Sequence, residues 1–172
     1  MIFFSGFALQ NEAHFFEPFL DKGAYTVSGF SYGAIKAMQE VLKRERRIDK
    51  LQLFSPAFFQ EKSTKFKRLQ LLGYSKDSSA YLQKFTENCF LPHATQPVAY
   101  TRHSREGLEE LLEYRWSEEE LSALKREGVE IEVYLGEKDS ISDVSHAYTF
   151  FLPYATVALI KGANHFLQGE EI

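Results

Sequence analysis

Short apolar runs and amphipathic stretches take turns along both ends of this chain. Ile2-Phe3-Phe4 is a continuous apolar run stopping at Ser5-Gly6, the pattern of a buried parallel strand and a turn. Asn11 is placed to cap a short helix through Leu20, and Ala24-Tyr25-Thr26-Val27 predicts a second strand entering Gly29-Phe30-Ser31-Tyr32-Gly33. Beyond it Ala34, Ile35, Met38, Val41 and Leu42 recur at helical spacing. That helix closes on the basic run Lys43 to Arg47, where cations suit the negative end of the helix dipole. Leu51-Gln52-Leu53-Phe54 predicts a third strand, stopped by Ser55-Pro56.

From about residue 57 to about 116 the pattern changes. The composition is helical, no strand is convincing, and basic residues mix with aromatic ones. Ser117-Glu118-Glu119-Glu120 then starts a capped helix that runs to Gly128. Val129 to Leu135 alternates and ends at Gly136, so it predicts a fourth strand. A helix over roughly 142–151 follows, then a fifth strand at Thr156 to Ile160 and the loop Lys161-Gly162-Ala163-Asn164-His165. Strands alternating with helices argue for a mostly parallel sheet flanked by helices. The block at 57–116 is read as a helical insertion, a lid, within one domain spanning 1–172. There is no internal repeat and no low-complexity linker.

Bulk properties narrow the setting. A chain of 172 residues is one domain's worth and long enough for a real core. Its net charge of −4 argues against binding nucleic acid by bulk electrostatics. Cys89 is the single cysteine, which rules out an intrachain disulfide and favours a reducing compartment. The apolar start is too short for a secretory signal, and no stretch approaches the ~20 apolar residues of a membrane span. A cytoplasmic protein without a membrane partner is the expectation.

Gly29-Phe30-Ser31-Tyr32-Gly33 fits G-x-S-x-G. In that motif a serine sits on a strained strand-to-helix turn, and the glycines let strand and helix approach closely. The pentapeptide alone occurs often by chance; its place between a predicted strand and a long amphipathic helix adds weight. A plain Gly-rich turn or a phosphate loop is the competing reading. Phosphate binding is the weaker option, since no G-x-G-x-x-G is present and no Lys-Ser/Thr pair follows the last glycine. Of five histidines, only His165 lies just after a predicted strand, on the sheet edge where Ser31 must sit. Asp139 follows the fourth strand in Gly136-Glu137-Lys138-Asp139 and can orient the imidazole; Asp143 is the competing acid, better suited to cap the next helix. The order Ser31, Asp139, His165 is the α/β-hydrolase order. The backbone N–H groups of Tyr32 and Phe7 are the expected oxyanion donors. No His, Cys and Asp spacing suggests a metal, and this chemistry needs no cofactor.

Charge is segregated. Between residues 57 and 105 eight cations face three anions, a net of +5 in a chain of −4, leaving −9 elsewhere. Lys62, Lys65, Lys67, Arg68, Arg102 and Arg105 then form a candidate docking face for an acidic partner. Phe58, Phe59, Phe66, Tyr74, Tyr81 and Phe85 would line an acyl channel beneath it. The plainer reading is a mobile helical lid with scattered lysines.

Phe4-Ser5-Gly6-Phe7, Gly29-Phe30-Ser31-Tyr32-Gly33-Ala34, Gly136-Glu137-Lys138-Asp139 and Gly162-Ala163-Asn164-His165 together resemble a shortened α/β-hydrolase, lacking the usual N-terminal strand pair. Within that superfamily the layout looks like the pimeloyl-[acyl-carrier protein] methyl ester esterases of biotin synthesis, of the short BioV type. One departure is Ser5, where many hydrolases carry His before the oxyanion glycine. The resemblance implies a serine carboxylesterase that cleaves the methyl ester of a pimeloyl chain carried on an acidic acyl-carrier protein, releasing methanol. Other readings are a general small-ester carboxylesterase or thioesterase, and a non-catalytic relative that only binds a ligand. Cofactorless perhydrolases carry the same triad.

Overall fold

The computed structural model describes residues 1–169. In chain order the elements are β1 (Ile2–Phe4), β2 (Leu9–Gln10), a 3-10 turn (Glu12–Phe16), β3 (Thr26–Phe30), α1 (Tyr32–Leu42) and β4 (Lys50–Phe54). There follow α2 (Thr64–Lys76), α3 (Ser78–Phe90), β5 (Ala99–Tyr100), α4 (Arg105–Glu113) and α5 (Glu118–Arg126). The chain closes with β6 (Glu130–Gly136), α6 (Val144–Phe151) and β7 (Thr156–Ile160). Five strands form one wholly parallel sheet in the order β1-β3-β4-β6-β7.

The sheet divides the apolar residues by their period-2 alternation. Val27, Leu51, Leu53, Ile131, Val133 and Leu135 face one core with the buried stripe of α1 (Ala34, Ile35, Ala37, Met38, Val41) and with Phe151 of α6. Phe30 and Phe54 face the other core, against Phe15, Phe16, Phe90 and Phe166. Its rings interlock closely, Phe16 lying 4.8 Å from Phe30 and 4.9 Å from Phe54, and Phe90 lying 4.4 Å from Phe166. Toward the amino ends of the strands that same face turns polar. Gln52 accepts from Ser28 and donates to Glu132 at 2.7 Å, and Lys50 reaches Glu132 at 3.1 Å and Asp21 at 2.9 Å. The apolar end therefore lies at the carboxyl edge, where the strand-end turns converge.

The structure shifts several expected elements. Asn11 starts no helix through Leu20; it sits at φ 63° without a side-chain cap, and a single 3-10 turn follows. The second strand is Thr26–Phe30 rather than 24–27, because the chain must stay extended up to the glycine turn to pair with both β1 and β4. β1 is half-buried, as an edge strand must be. The stretch between β4 and α5 holds a short strand after all: β5 pairs antiparallel with β2, and Thr101 N–H donates to the Ala8 carbonyl at 2.8 Å. Two-residue strands have no alternation to read.

Candidate functional site

Ser31 occupies the tip of the β3–α1 turn at φ 55°, ψ −113°, outside the regions that L-residues favour. The turn is fixed from several sides. Ser31 N–H donates to the Phe54 carbonyl at 2.9 Å, and the Ser31 carbonyl accepts from Ala34 at 3.1 Å and Ala57 at 3.2 Å. The two glycines of the pentapeptide are required by space: a Cβ on Gly29 would lie 2.1 Å from the Gly33 carbonyl oxygen, and one on Gly33 would lie 2.0 Å from that of Phe4. Backbone thus packs on backbone where a side chain would separate strand from helix.

His165 Nε2 lies 3.0 Å from Ser31 Oγ, and His165 Nδ1 lies 2.6 Å from Asp139 Oδ2. A carboxylate only accepts, so Nδ1 carries the hydrogen and Nε2 offers its lone pair to the Ser31 hydroxyl. Asp139 is oriented in turn by N–H donors, Ile141 at 2.7 Å and Ser142 at 3.2 Å, both to Oδ1. The side chains of His165 and Asp139 are wholly buried, and Ser31 keeps 7% exposure. Of the two acids, Asp143 lies elsewhere: it caps α6 and pairs with His146 at 2.6 Å. The remaining histidines are engaged apart from Ser31, His14 with the Asn11 carbonyl, His93 with the Gly162 carbonyl and His103 with the Tyr74 hydroxyl.

The histidine loop is tied down by contacts that the sequence did not reveal. Asn164 donates to the Phe90 carbonyl at 3.0 Å, and His165 N–H donates to the Cys89 carbonyl at 3.2 Å. Gly136 lets the acid turn meet this loop, since a Cβ there would lie 2.2 Å from the Asn164 carbonyl oxygen. Burial and the Asp139 charge push the Cys89 thiol well above its ordinary range, consistent with a buried neutral thiol at this spot.

Across from Ser31 runs the turn after β1. Gly6 packs against the Phe30 ring, and Gly6 N–H donates to Glu12 Oε1 at 2.7 Å. The N–H groups of Phe7 and Tyr32 make no hydrogen bond to another described residue. Their side chains point into the helical segment: Phe7 contacts Tyr32, Tyr74 and His103, and Tyr32 Oη donates to Glu110 Oε2 of α4 at 2.7 Å. Burial, with that carboxylate beside it, raises the Tyr32 hydroxyl far above the ordinary tyrosine range.

Two clefts of about 330 Å³ each border this region. One is apolar and bounded by Phe59, Phe66, Tyr81, Phe85 and Ile141, beside the Asp139 turn; neither Ser31 nor His165 lines it. The expected channel aromatics Phe58 and Tyr74 are not part of it, since Phe58 packs on Phe150 and Phe151 while Tyr74 holds His103. The other cleft is bordered by Gly6, Phe7, Tyr32 and Arg102.

The predicted basic face is thinner than its count. Helix α4 brings four glutamates back, and α2 packs against it, so Lys67 lies 3.7 Å from Glu113 and Arg105 lies 3.4 Å from Glu109. Lys62, Lys65, Arg68 and Arg102 stay exposed and make no ion pair among the described residues. No helix among those residues is long and apolar enough to cross a membrane.

No family model matches the chain, and no curated protein sequence does either. Solved structures do. Est816, described as an N-acyl homoserine lactone degrading enzyme, is similar over 96% of this chain and 85% of its own, at TM-score 0.64 and 14% identity. BioG from Haemophilus influenzae is similar over 96% of this chain and 87% of its own, at TM-score 0.60 and 11% identity. Naproxen esterase from Bacillus subtilis is similar over 83% of this chain, at TM-score 0.55 and 19% identity, and there the chain spans 53% of the esterase. The fold is that of the α/β-hydrolases. At such identities the likeness carries architecture alone.

Proposed function

We propose that this protein is a serine carboxylic ester hydrolase, with Ser31 as nucleophile, His165 as general base and then acid, and Asp139 as the group that orients it. The observation that carries the reading is the unbroken Ser31–His165–Asp139 hydrogen-bond series, 3.0 and 2.6 Å long, on a backbone strained at the serine. In this mechanism His165 Nε2 takes the Ser31 proton as Oγ adds to the ester carbonyl. The oxyanion is stabilised by the Phe7 and Tyr32 N–H groups. The imidazolium returns its proton to the departing alkoxide, which leaves as an alcohol. Water, activated by His165, then adds to the acyl-enzyme, and collapse frees the acid and restores Ser31.

For the substrate we propose the methyl ester of a pimeloyl chain on an acidic acyl-carrier protein, in biotin synthesis, as the four motifs imply. Supporting it are the apolar cleft beside the Asp139 turn and the unpaired cations Lys62, Lys65, Arg68 and Arg102. In this reading the segment between β4 and α5 acts as a lid that receives the carrier. The pairing of Lys67 and Arg105 with α4 glutamates favours a second reading, an esterase or thioesterase for small free esters. Assaying purified protein on pimeloyl-carrier methyl ester and on a short free ester separates the two. Faster carrier turnover supports the first, and activity on the free ester alone leaves the second. Failure to hydrolyse either, together with no phosphonate label on Ser31, overturns both.

A further inference from the structure

We infer that Glu12 is a positioning residue for the oxyanion turn; the inference rests on the serine-hydrolase reading above. The turn after β1 starts on two small residues, Ser5 and Gly6, and the Phe7 ring anchors it only toward the helical segment, on Tyr32, Tyr74 and His103. It is also held from the 3-10 turn, where Glu12 Oε1 accepts the Gly6 N–H at 2.7 Å. That contact is buried, and Glu12 is only 1% exposed. Its second oxygen, Oε2, has no hydrogen-bond partner among the described residues. A carboxylate held in the interior with one oxygen unsatisfied costs stability, so the position is unexplained by packing alone.

The backbone around it is shaped to bring the carboxylate to Gly6. Ala8 at φ 61° and Asn11 at φ 63° reverse the chain twice within four residues, and Leu9 N–H closes the turn on the Gly6 carbonyl at 3.1 Å. Gly6 is fixed on its far side by Phe30, the ring preceding Ser31. The Gly6 N–H bond therefore sets the peptide plane on one side of residue 6, and the Leu9 bond sets the other. The next N–H along the chain is that of Phe7, the proposed oxyanion donor. The Phe7 N–H shares its peptide plane with the Gly6 carbonyl, which Leu9 holds. Glu12 holds the preceding plane, which meets it at the Gly6 Cα, and so acts on the Phe7 N–H from one residue upstream without touching the substrate.

The test compares Glu12→Gln, Glu12→Asp and Glu12→Ala with the intact enzyme on one activated ester, with melting temperature recorded for each. Gln keeps an acceptor oxygen at the same reach, whereas Asp is one methylene short and Ala has none. Glu12→Gln is expected to stay within about 3-fold of the parent kcat. Glu12→Asp and Glu12→Ala are expected to lose about 10- to 100-fold in kcat with KM little changed, less than the roughly 100- to 1,000-fold of an oxyanion donor removed outright, because the Phe7 N–H is loosened rather than lost. Affinity for a boronic acid, which forms a tetrahedral adduct on Ser31, should fall in parallel with kcat. Should Glu12→Ala fail to fold, Glu12→Asp still reads the effect. Parent-like kcat in folded Glu12→Asp and Glu12→Ala overturns the inference, as does a loss in KM alone or a Glu12→Gln as impaired as Glu12→Ala. A phosphonate label on Ser31 in all variants keeps the serine-hydrolase reading standing in those cases; absence of label from the parent protein overturns that reading itself.

Discussion

The carboxyl edge of the sheet and the helical segment between β4 and α5 are built on different principles. At the sheet edge, position is dictated by backbone. Gly29, Gly33 and Gly136 allow main chain to touch main chain, and carbonyls of Phe54, Cys89 and Phe90 hold Ser31, His165 and Asn164. In the helical segment, position comes from side chains: Tyr74 with His103, Tyr32 with Glu110, Lys67 with Glu113 and the rings around the apolar cleft. Backbone contacts tolerate no added atom, whereas side-chain contacts can be exchanged one at a time. The edge should fail sharply under substitution and the helical segment gradually.

The largest effect expected is chemical. Ser31→Ala, His165→Ala and Asp139→Ala should each lower kcat by roughly 10⁴- to 10⁶-fold, with double variants adding little because the three act as a unit. Thermal melts should remain cooperative. Substantial residual turnover in His165→Ala would remove it from the proposed role.

Next comes a backbone clash. Gly33→Ala places a methyl 2.0 Å from the Phe4 carbonyl oxygen, which only a shift of β1 or α1 could relieve. A loss of about 3 kcal/mol or an insoluble product is expected. A matching change in the helical segment, Gly73→Ala, meets nothing nearer than the Tyr81 ring at 3.4 Å and should raise the melting temperature by a few degrees, since alanine is favoured over glycine inside a helix by about 1 kcal/mol. Equal losses at the two glycines would erase the contrast.

A smaller effect concerns the polar end of the sheet. Burial raises the Glu132 carboxyl, but hydrogen bonds from Gln52, Tyr134 and Lys50 outweigh it and hold the group below its ordinary value of 4.5. A depressed carboxyl stabilises the fold above its unfolded value and loses that contribution as pH falls through the folded one. Glu132→Gln should therefore cost about 1–2 kcal/mol at pH 7 and nearly nothing once acid has protonated the parent residue. Denaturant melts from pH 7 downward check this; a cost independent of pH would show that the charge is irrelevant.

The smallest effect belongs to the surface. Charge reversal at Lys65 and Arg68 should slow carrier-linked turnover by about 10-fold at low salt and much less at 0.1 M, where the Debye length is ~10 Å. Hydrolysis of a small free ester should hold steady. Equal effects on both substrates would retire carrier docking.

The sequence was most legible where spacing and element boundaries coincide. The glycine pentapeptide sits between a strand and an amphipathic helix, and Asp139 and His165 each follow an alternating strand, so their convergence could be read from order alone. Glu12, Asn164 and the Cys89 carbonyl act through long-range contacts that leave no periodic trace. Asn11 looked like a cap because its residue type favours caps, but it also tolerates the left-handed backbone that it adopts. The aromatic count could not tell Phe59, which borders the cleft, from Phe58, which packs on Phe150. The net of +5 ended at residue 105, the first residue of helix α4, whose glutamates then fold back onto α2.

The contact between Ser31 and His165 joins residues 134 positions apart. Every strand pairing of the main sheet is parallel, so none can zip from a hairpin, and each waits on the closure of a long loop. A ribosome therefore releases the serine long before the imidazole that would activate it, and a nascent or truncated chain carries an ordinary hydroxyl. In the proposed mechanism reactivity at Ser31 arrives together with completion of the last strand. In a refolding experiment, reactivity at Ser31 would report late assembly, lagging the recovery of helical signal from locally formed α1, α2 and α3.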